Sequence, residues 1–159
     1  MKAKTIAVWL RIIIIGFALC GAGLFGYVIP EIGRETALAN PEFSWMYYPW
    51  LIFLCVAGVP CFAVLALGWL VSNNFAKDRV FTVSNSKLLK AVAVLAGADS
   101  AYFLIGNIVF LFLDMNHPGV LLLSFVVVFI GLAITVAAAA LSGLTARAAV
   151  MQDENELTI

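Results

Sequence analysis

Four long apolar stretches, at about residues 6–29, 49–71, 88–113 and 119–144, constrain this chain more than any other feature. Each is near or above the roughly 20 residues that a helix needs to cross a hydrocarbon layer of about 30 Å. A backbone in lipid must satisfy its polar groups internally, and these continuous runs lack the alternation of barrel strands, so each predicts a helix. The predicted fold is all-α and integral to the membrane: a single four-transmembrane-helix bundle over residues 1–159, with a tail over 145–159. Composition agrees, since 64% hydrophobic and 11% charged residues lie outside the range of a water-soluble globule.

Lys2 and Lys4 precede the first run, and Cys20 follows within it, as in a secretion signal. The apolar run over 12–29 nevertheless exceeds the roughly 7–15 residues of a signal core, and Leu19 stands where a lipoprotein cleavage site wants a small residue. The segment therefore reads as a retained anchor that ends at Pro30. Four spans place both termini on one side. Lys2, Lys4, Arg11, Lys77, Arg79, Lys87, Lys90 and Arg147 gather at that side, with Arg34 opposite, so the positive-inside rule predicts cytoplasmic termini. Phe43, Trp45, Tyr47, Tyr48 and Trp50 read as an outer aromatic belt, and Trp9 and Trp69 as inner boundary markers.

Helices in lipid gain by close backbone approach at small residues. In the fourth run Ser124, Gly131, Thr135, Ala138, Ser142 and Thr145 share one stripe; in the first, Gly16, Cys20, Gly23 and Tyr27 share another, with Ala22 and Gly26 beside it. Both are expected to be packing faces, and Pro60 is expected to kink the second span.

Asp99 lies about 11 residues into the third run, hence ~16 Å from its inner end. An ionised Asp at that depth costs roughly 2.5–3.5 kcal/mol, so it should face the bundle interior and be either protonated or partnered. Tyr102 and Phe103 share its face, Ser100 adjoins it, and Asn107 lies two turns on. With Arg11 these form a candidate intramembrane polar site: Asp99, Tyr102, Asn107, Arg11. Arg11 sits ~7 Å inside the first run, where snorkelling to headgroups is the expectation ahead of a strained bridge to Asp99. Asp99 reads either as a neutral acid hydrogen-bonded to a Ser, Thr or Tyr of a neighbouring helix, or as a proton or cation site. A lone acid makes a poor proton relay.

The net charge is zero and there is no basic run, so no direct nucleic-acid binding is expected. Cys20, Cys55 and Cys61 form no CxxC pair and read as packing residues rather than metal ligands. "DMNHPG", with Asp114, Asn116 and His117, reads as turn and helix-start chemistry with Pro118 at a first helical position, ahead of a weak metal site. The connection at "SNNFAKDRVFTVSNSKLL" predicts a fresh helix cap at Ser84 or Ser86. There is no Ser/His pair, HExxH or pair of carboxylates at one depth, so neither an enzyme nor a cofactor is expected.

The tail continues the fourth helix and ends acidic, in Asp153, Glu154, Asn155, Glu156, Leu157, Thr158 and Ile159. Together with "VPCFAVLALGWLVSNNFAKDRVFT" and "DMNHPGVLLLSFVVVFIGLAITVAAAALSGL", it resembles the bacterial membrane family catalogued as domain of unknown function 2975. "RVFT" at 79–82, "HPGV" at 117–120 and "ENELTI" at 154–159 are its most specific pieces; the first span matches only by type. The resemblance implies a four-span protein of the bacterial inner membrane that partners a small cytoplasmic helix-turn-helix regulator. The docking face expected for it comprises residues 73–88 and 146–159, whose acidic tail can meet a basic DNA-binding domain. The alternative is a small transporter or ion-coupled subunit using Asp99, although no internal repeat or matched pair of unwound helices supports it.

Overall fold

The computed structural model describes residues 3–156, so Lys2, counted in the charge bias, lies outside the described residues. Those residues fold almost wholly into helix: α1 (Ala3–Gly23), a π-helical turn (Leu24–Val28), α2 (Ile29–Ala39), a 3-10 turn (Pro41–Met46), α3 (Tyr47–Ala76), α4 (Val83–Phe112) and α5 (Pro118–Glu156). Four continuous helical stretches are long and apolar enough to cross a membrane: Ala3–Ala39, Pro41–Ala76, Val83–Phe112 and Pro118–Gln152.

The first helix does not end at Pro30. Ile29 N–H donates to Leu24 O in the wide π turn, and Pro30 then occupies one of the first two positions of α2, where its missing amide removes no required hydrogen bond. The helix resumes and runs to Ala39. Similarly, α3 passes through Pro60 without interruption.

Side-chain contacts define two ends. At the first, Ser72 Oγ donates to Ala7 O at 3.0 Å and Ser86 pairs with Ser142. At the second, Tyr47 OH donates to Pro30 O at 3.4 Å and Trp50 Nε1 to Met115 O at 2.9 Å. Both described termini lie at the first end, called the terminal end; the second is the distal end.

Burial follows the logic of a fold solvated by lipid. Ser72, Asn85 and Asn107 are 0%, 1% and 1% exposed, whereas Leu38 and Phe112 are 72% and 83% exposed. In water that distribution would be costly; in hydrocarbon it hides the polar groups and leaves the apolar ones where they lose nothing.

The rods pack in chain order. α1 lies on α3, α3 on α4, and α4 on α5, while no backbone approach within 8 Å joins α1 to α5. Between α4 and α5 the expected small-residue stripe is present: Ser124, Ala138, Ser142 and Thr145 are buried, and Gly131 and Thr135 half-buried. The stripe expected in the first span is not a packing face. A Cβ added at Gly16, Gly23 or Gly26 would meet nothing within 4 Å, and Tyr27 is exposed. The contact stripe of α1 is instead Ala7, Ile14 and Gly21, spaced two helical turns apart, and glycine hollows lie on both partners: Gly68 and Gly58 of α3 receive Ile14 and Phe25, and Gly21 of α1 receives Phe62. Small residues mark where a backbone can be approached, and here large side chains of the first span and of α3 fill hollows on each other.

Gly131 is required by the closest of these approaches, because a Cβ there would collide with the Ser100 hydroxyl. Gly131→Ala is expected to lower stability by about 1–3 kcal/mol in denaturant titration of detergent-solubilised protein. Ser100→Ala in the same chain should recover most of the loss; simple additivity of the two changes would refute the steric account.

The cap of α4 is Thr82, neither Ser84 nor Ser86. Thr82 is extended, at φ −133° and ψ 151°, and its Oγ1 accepts from Asn85 N at 3.2 Å, satisfying an amide of the first turn.

Candidate functional site

Asp99 sits midway along α4, half-buried, on the wall of a cleft of 660 Å³. α3 and α4 form its floor, with Pro60, Cys61, Ala96 and Asp99 among the lining. α1 and α5 form its two sides, with Gly21 and Gly131 among theirs. The cleft exists because the first and last rods do not meet. Asp99 Oδ2 faces the Cys61 thiol at 3.8 Å, while Oδ1 is covered and has no hydrogen-bond partner among the described residues. The nearby Ser100 hydroxyl is already committed, donating to Ala96 O at 2.7 Å. None of the lining residues is basic.

The polar groups of the other three residues expected at the site are engaged elsewhere. Tyr102 OH donates to Phe53 O at 3.3 Å, so its hydroxyl ties α4 to α3 and does not serve Asp99. Asn107 closes the distal end: Asn116 Nδ2 donates to Asn107 Oδ1 at 3.1 Å and to its carbonyl at 3.2 Å. Arg11 neither reaches Asp99 nor is left to headgroups alone. Its Nη2 donates to Asn73 Oδ1 at 2.8 Å, and its guanidinium lies 5.4 Å from the Trp69 ring centroid. A neutral amide and an aromatic face thus hold the charge near the terminal end, close enough to spare it a longer reach. Of the four candidate residues, Asp99 alone lines the cleft, and the other three make separate contacts.

A second cavity, of 930 Å³, continues toward the distal end and shares Leu24, Ile29 and Leu54 with the first. Tyr47, Trp50, Asp114 and His117 are among its lining. The aromatic belt is therefore divided. Phe43, Trp45 and Tyr48 are exposed, whereas Tyr47 and Trp50 turn inward and hold neighbouring segments through the hydrogen bonds described above. The connection between α4 and α5 is a turn, as expected. Asp114 adopts φ 55°, Met115 N bonds Phe110 O at 2.8 Å, and His117 Nδ1 accepts from Gly119 N at 3.0 Å, capping the start of α5.

Two features were absent from the sequence reading. One is the facing of Cys61 and Asp99 between α3 and α4; Cys20 and Cys55 are exposed. The available signal was position: Cys61 and Asp99 each stand near the middle of an apolar run, and consecutive antiparallel spans bring their middles together. The other is the cluster around Phe53, whose ring contacts those of Trp50, Tyr102, Phe103 and Phe110.

At the terminal end, α5 remains helical to Glu156, and Thr145 and Ala149 are still buried. Of the expected docking segment, Leu157, Thr158 and Ile159 lie outside the described residues, as do the side chains of Asp153, Asn155 and Glu156; Glu154 is exposed.

The fold and its relatives agree on a membrane protein. The protein of Bacillus subtilis (strain 168) named "Uncharacterized membrane protein YoaS" is 24% identical over 160 residues, covering 99% of this chain and 99% of that one. No solved structure matches the chain. The model of the family described as "Protein of unknown function (DUF2975)" matches residues 31–159, all but most of the first span, and the chain belongs to that family.

Proposed function

We propose that this is a non-enzymatic protein of the bacterial inner membrane whose cytoplasmic face docks a small helix-turn-helix transcription factor. The observation that carries the reading is the length of α5. Its 39 residues correspond to ~58 Å of helix, about twice the hydrocarbon thickness. The apolar run ends near Leu144, so about 12 residues of helix, including Arg147 and Glu154, project beyond the lipid at the terminal end. A projecting helix that turns acidic over 153–156 offers a basic DNA-binding domain a complementary charge, which gives steering and register more than raw affinity. Lys4, Lys77, Arg79, Lys87, Lys90 and Arg147 at this end support its cytoplasmic placement. A factor held there is kept from DNA.

The test is co-purification of the full chain with the product of the neighbouring open reading frame, with and without residues 150–159. A basic helix-turn-helix protein of under about a hundred residues is expected to be retained by the full chain and lost on truncation. Its release at a few hundred millimolar salt should follow, because exposed charges are screened beyond a Debye length of about 10 Å at 0.1 M. Equal retention by the truncated chain would overturn the docking site.

A second reading, a small transporter or ion-coupled subunit, is favoured by the cleft with Asp99 on its wall. A transport ATPase encoded beside the gene would support it over docking.

A further inference from the structure

We propose that the cleft between α1 and α5 binds a lipophilic organic monocation, a tertiary or quaternary ammonium on an apolar body, with the Asp99 carboxylate as its counter-ion. The inference is independent of whether the projecting end of α5 docks a partner.

The argument starts from what the cleft contains. It is apolar apart from Asp99 and a few small polar groups, of which the Ser100 hydroxyl is already bonded to Ala96 O. Asp99 Oδ2 has only a thiol at 3.8 Å, and Oδ1 has no hydrogen-bond partner among the described residues. An ionised carboxylate at mid-membrane needs a cation, and among the described residues none supplies one: no lining residue is basic, and Arg11 is engaged by Asn73 and Trp69.

The same features set the ligand's chemistry. One carboxylate matches one positive charge. A sugar or nucleotide would lose hydrogen bonds that these walls cannot replace, so the rest of the ligand must be apolar. The volume, 660 Å³, falls within the roughly 300–1,000 Å³ of small-molecule sites. The distal cavity, which shares Leu24, Ile29 and Leu54 with the cleft, supplies a route lined by Tyr47 and Trp50, whose ring faces attract cations. An acyl chain filling the cleft would leave the carboxylate unanswered. A helix from a second copy would do the same unless it brought its own buried cation.

The probe is tetraphenylphosphonium, titrated calorimetrically into the purified full chain in dodecylmaltoside, with tetraphenylborate as an anion of the same shape and triphenylphosphine oxide as a neutral analogue. Saturable binding of the phosphonium, with the borate at least about tenfold weaker, is expected. Asp99→Asn should weaken the phosphonium by at least about tenfold and leave the neutral analogue unchanged. Ile130→Trp, which fills the cleft from α5, should block both. Equal binding of cation and anion, or full affinity in Asp99→Asn, would mean apolar partition alone and overturn the proposal. So would the absence of saturable binding, whether lipid or a second copy fills the cleft. The comparison of cation with anion uses the unaltered protein. If Asp99→Asn does not fold, Asp99→Glu must retain the preference for the cation, and its loss there counts against the proposal.

Discussion

Asn85→Ala is expected to lower the stability of the detergent-solubilised protein by roughly 3–5 kcal/mol. Asn85 is 1% exposed at the start of α4 and uses every hydrogen-bonding group of its amide. Its Nδ2 donates to Arg79 O at 2.9 Å and Val80 O at 2.8 Å, and its Oδ1 accepts from Asn74 Nδ2 at 2.6 Å. Those contacts clamp the connection from Lys77 to Thr82 against both helices that it joins. Removing the amide strands two backbone carbonyls and one side chain, at about 1–3 kcal/mol for each group left without a partner. Two controls separate this from a general weakening of the helix. Thr82→Ala removes only the cap and should cost about 1 kcal/mol. Asn85→Asp keeps the acceptor for Asn74 but sets a carboxylate against two carbonyl oxygens, so it should be at least as damaging as alanine. A smaller effect from Asn85→Asp than from Asn85→Ala would refute the clamp. The clamped segment carries Arg79 and follows Lys77 at the end proposed to face the cytosol, so the same variants report whether that face must be rigid for docking.

The contrast between Asn85 and the four long rods shows where the sequence was legible. Apolar runs of more than 20 residues leave a backbone few options in lipid, so the spans, their order and the shared end of the termini were readable without coordinates. So was the small-residue stripe of α5, because a helix as uniform as this one displays its exceptions. Boundaries were harder. Pro30 reads as a stop in a one-dimensional pattern, yet a π turn placed just before it lets the helix continue; nothing in the order of residues marks that turn. Ser84 and Ser86 lie closer to the apolar run than Thr82, yet Thr82 is the cap, because the Asn85 amide holds the carbonyls of Arg79 and Val80 and turns the chain there. The partners of the polar residues were hidden for a related reason. Asp99, Tyr102 and Asn107 lie on one helix and Arg11 on another, but a shared helix does not make their polar groups meet. Their partners, Cys61, the Phe53 carbonyl, Asn116 and Asn73, are set by which rods touch, and a row packed in chain order leaves α1 and α5 apart. The cleft is a property of that packing order, and no single span encodes it.

Gly106→Ala tests the second feature that the sequence concealed, and about 3 kcal/mol of destabilisation is expected. One methyl group usually matters little on a membrane helix, but here it would point into the ring of Phe53, with which an added Cβ collides. Phe53 cannot yield. It is 6% exposed, and its ring centroid lies 5.1 Å from Tyr102, 5.2 Å from Phe110, 5.5 Å from Phe103 and 5.8 Å from Trp50. Three of those rings belong to α4 itself, so the methyl group and the aromatic side chains of one helix would compete for the same space. The clash can be relieved only by moving α3 away from α4, which also pulls the Tyr102 hydroxyl from the Phe53 carbonyl and opens the floor of the cleft. If that is the mechanism, the cost belongs to the pair and not to glycine as a residue type. In the double variant with Phe53→Leu, Gly106→Ala should add little to the loss caused by Phe53→Leu alone, giving a coupling of about 1–3 kcal/mol. Additive losses would place the penalty elsewhere in the helix. Because the same pair sets the spacing of α3 and α4 beneath Asp99, Gly106→Ala should also weaken tetraphenylphosphonium binding without touching the carboxylate.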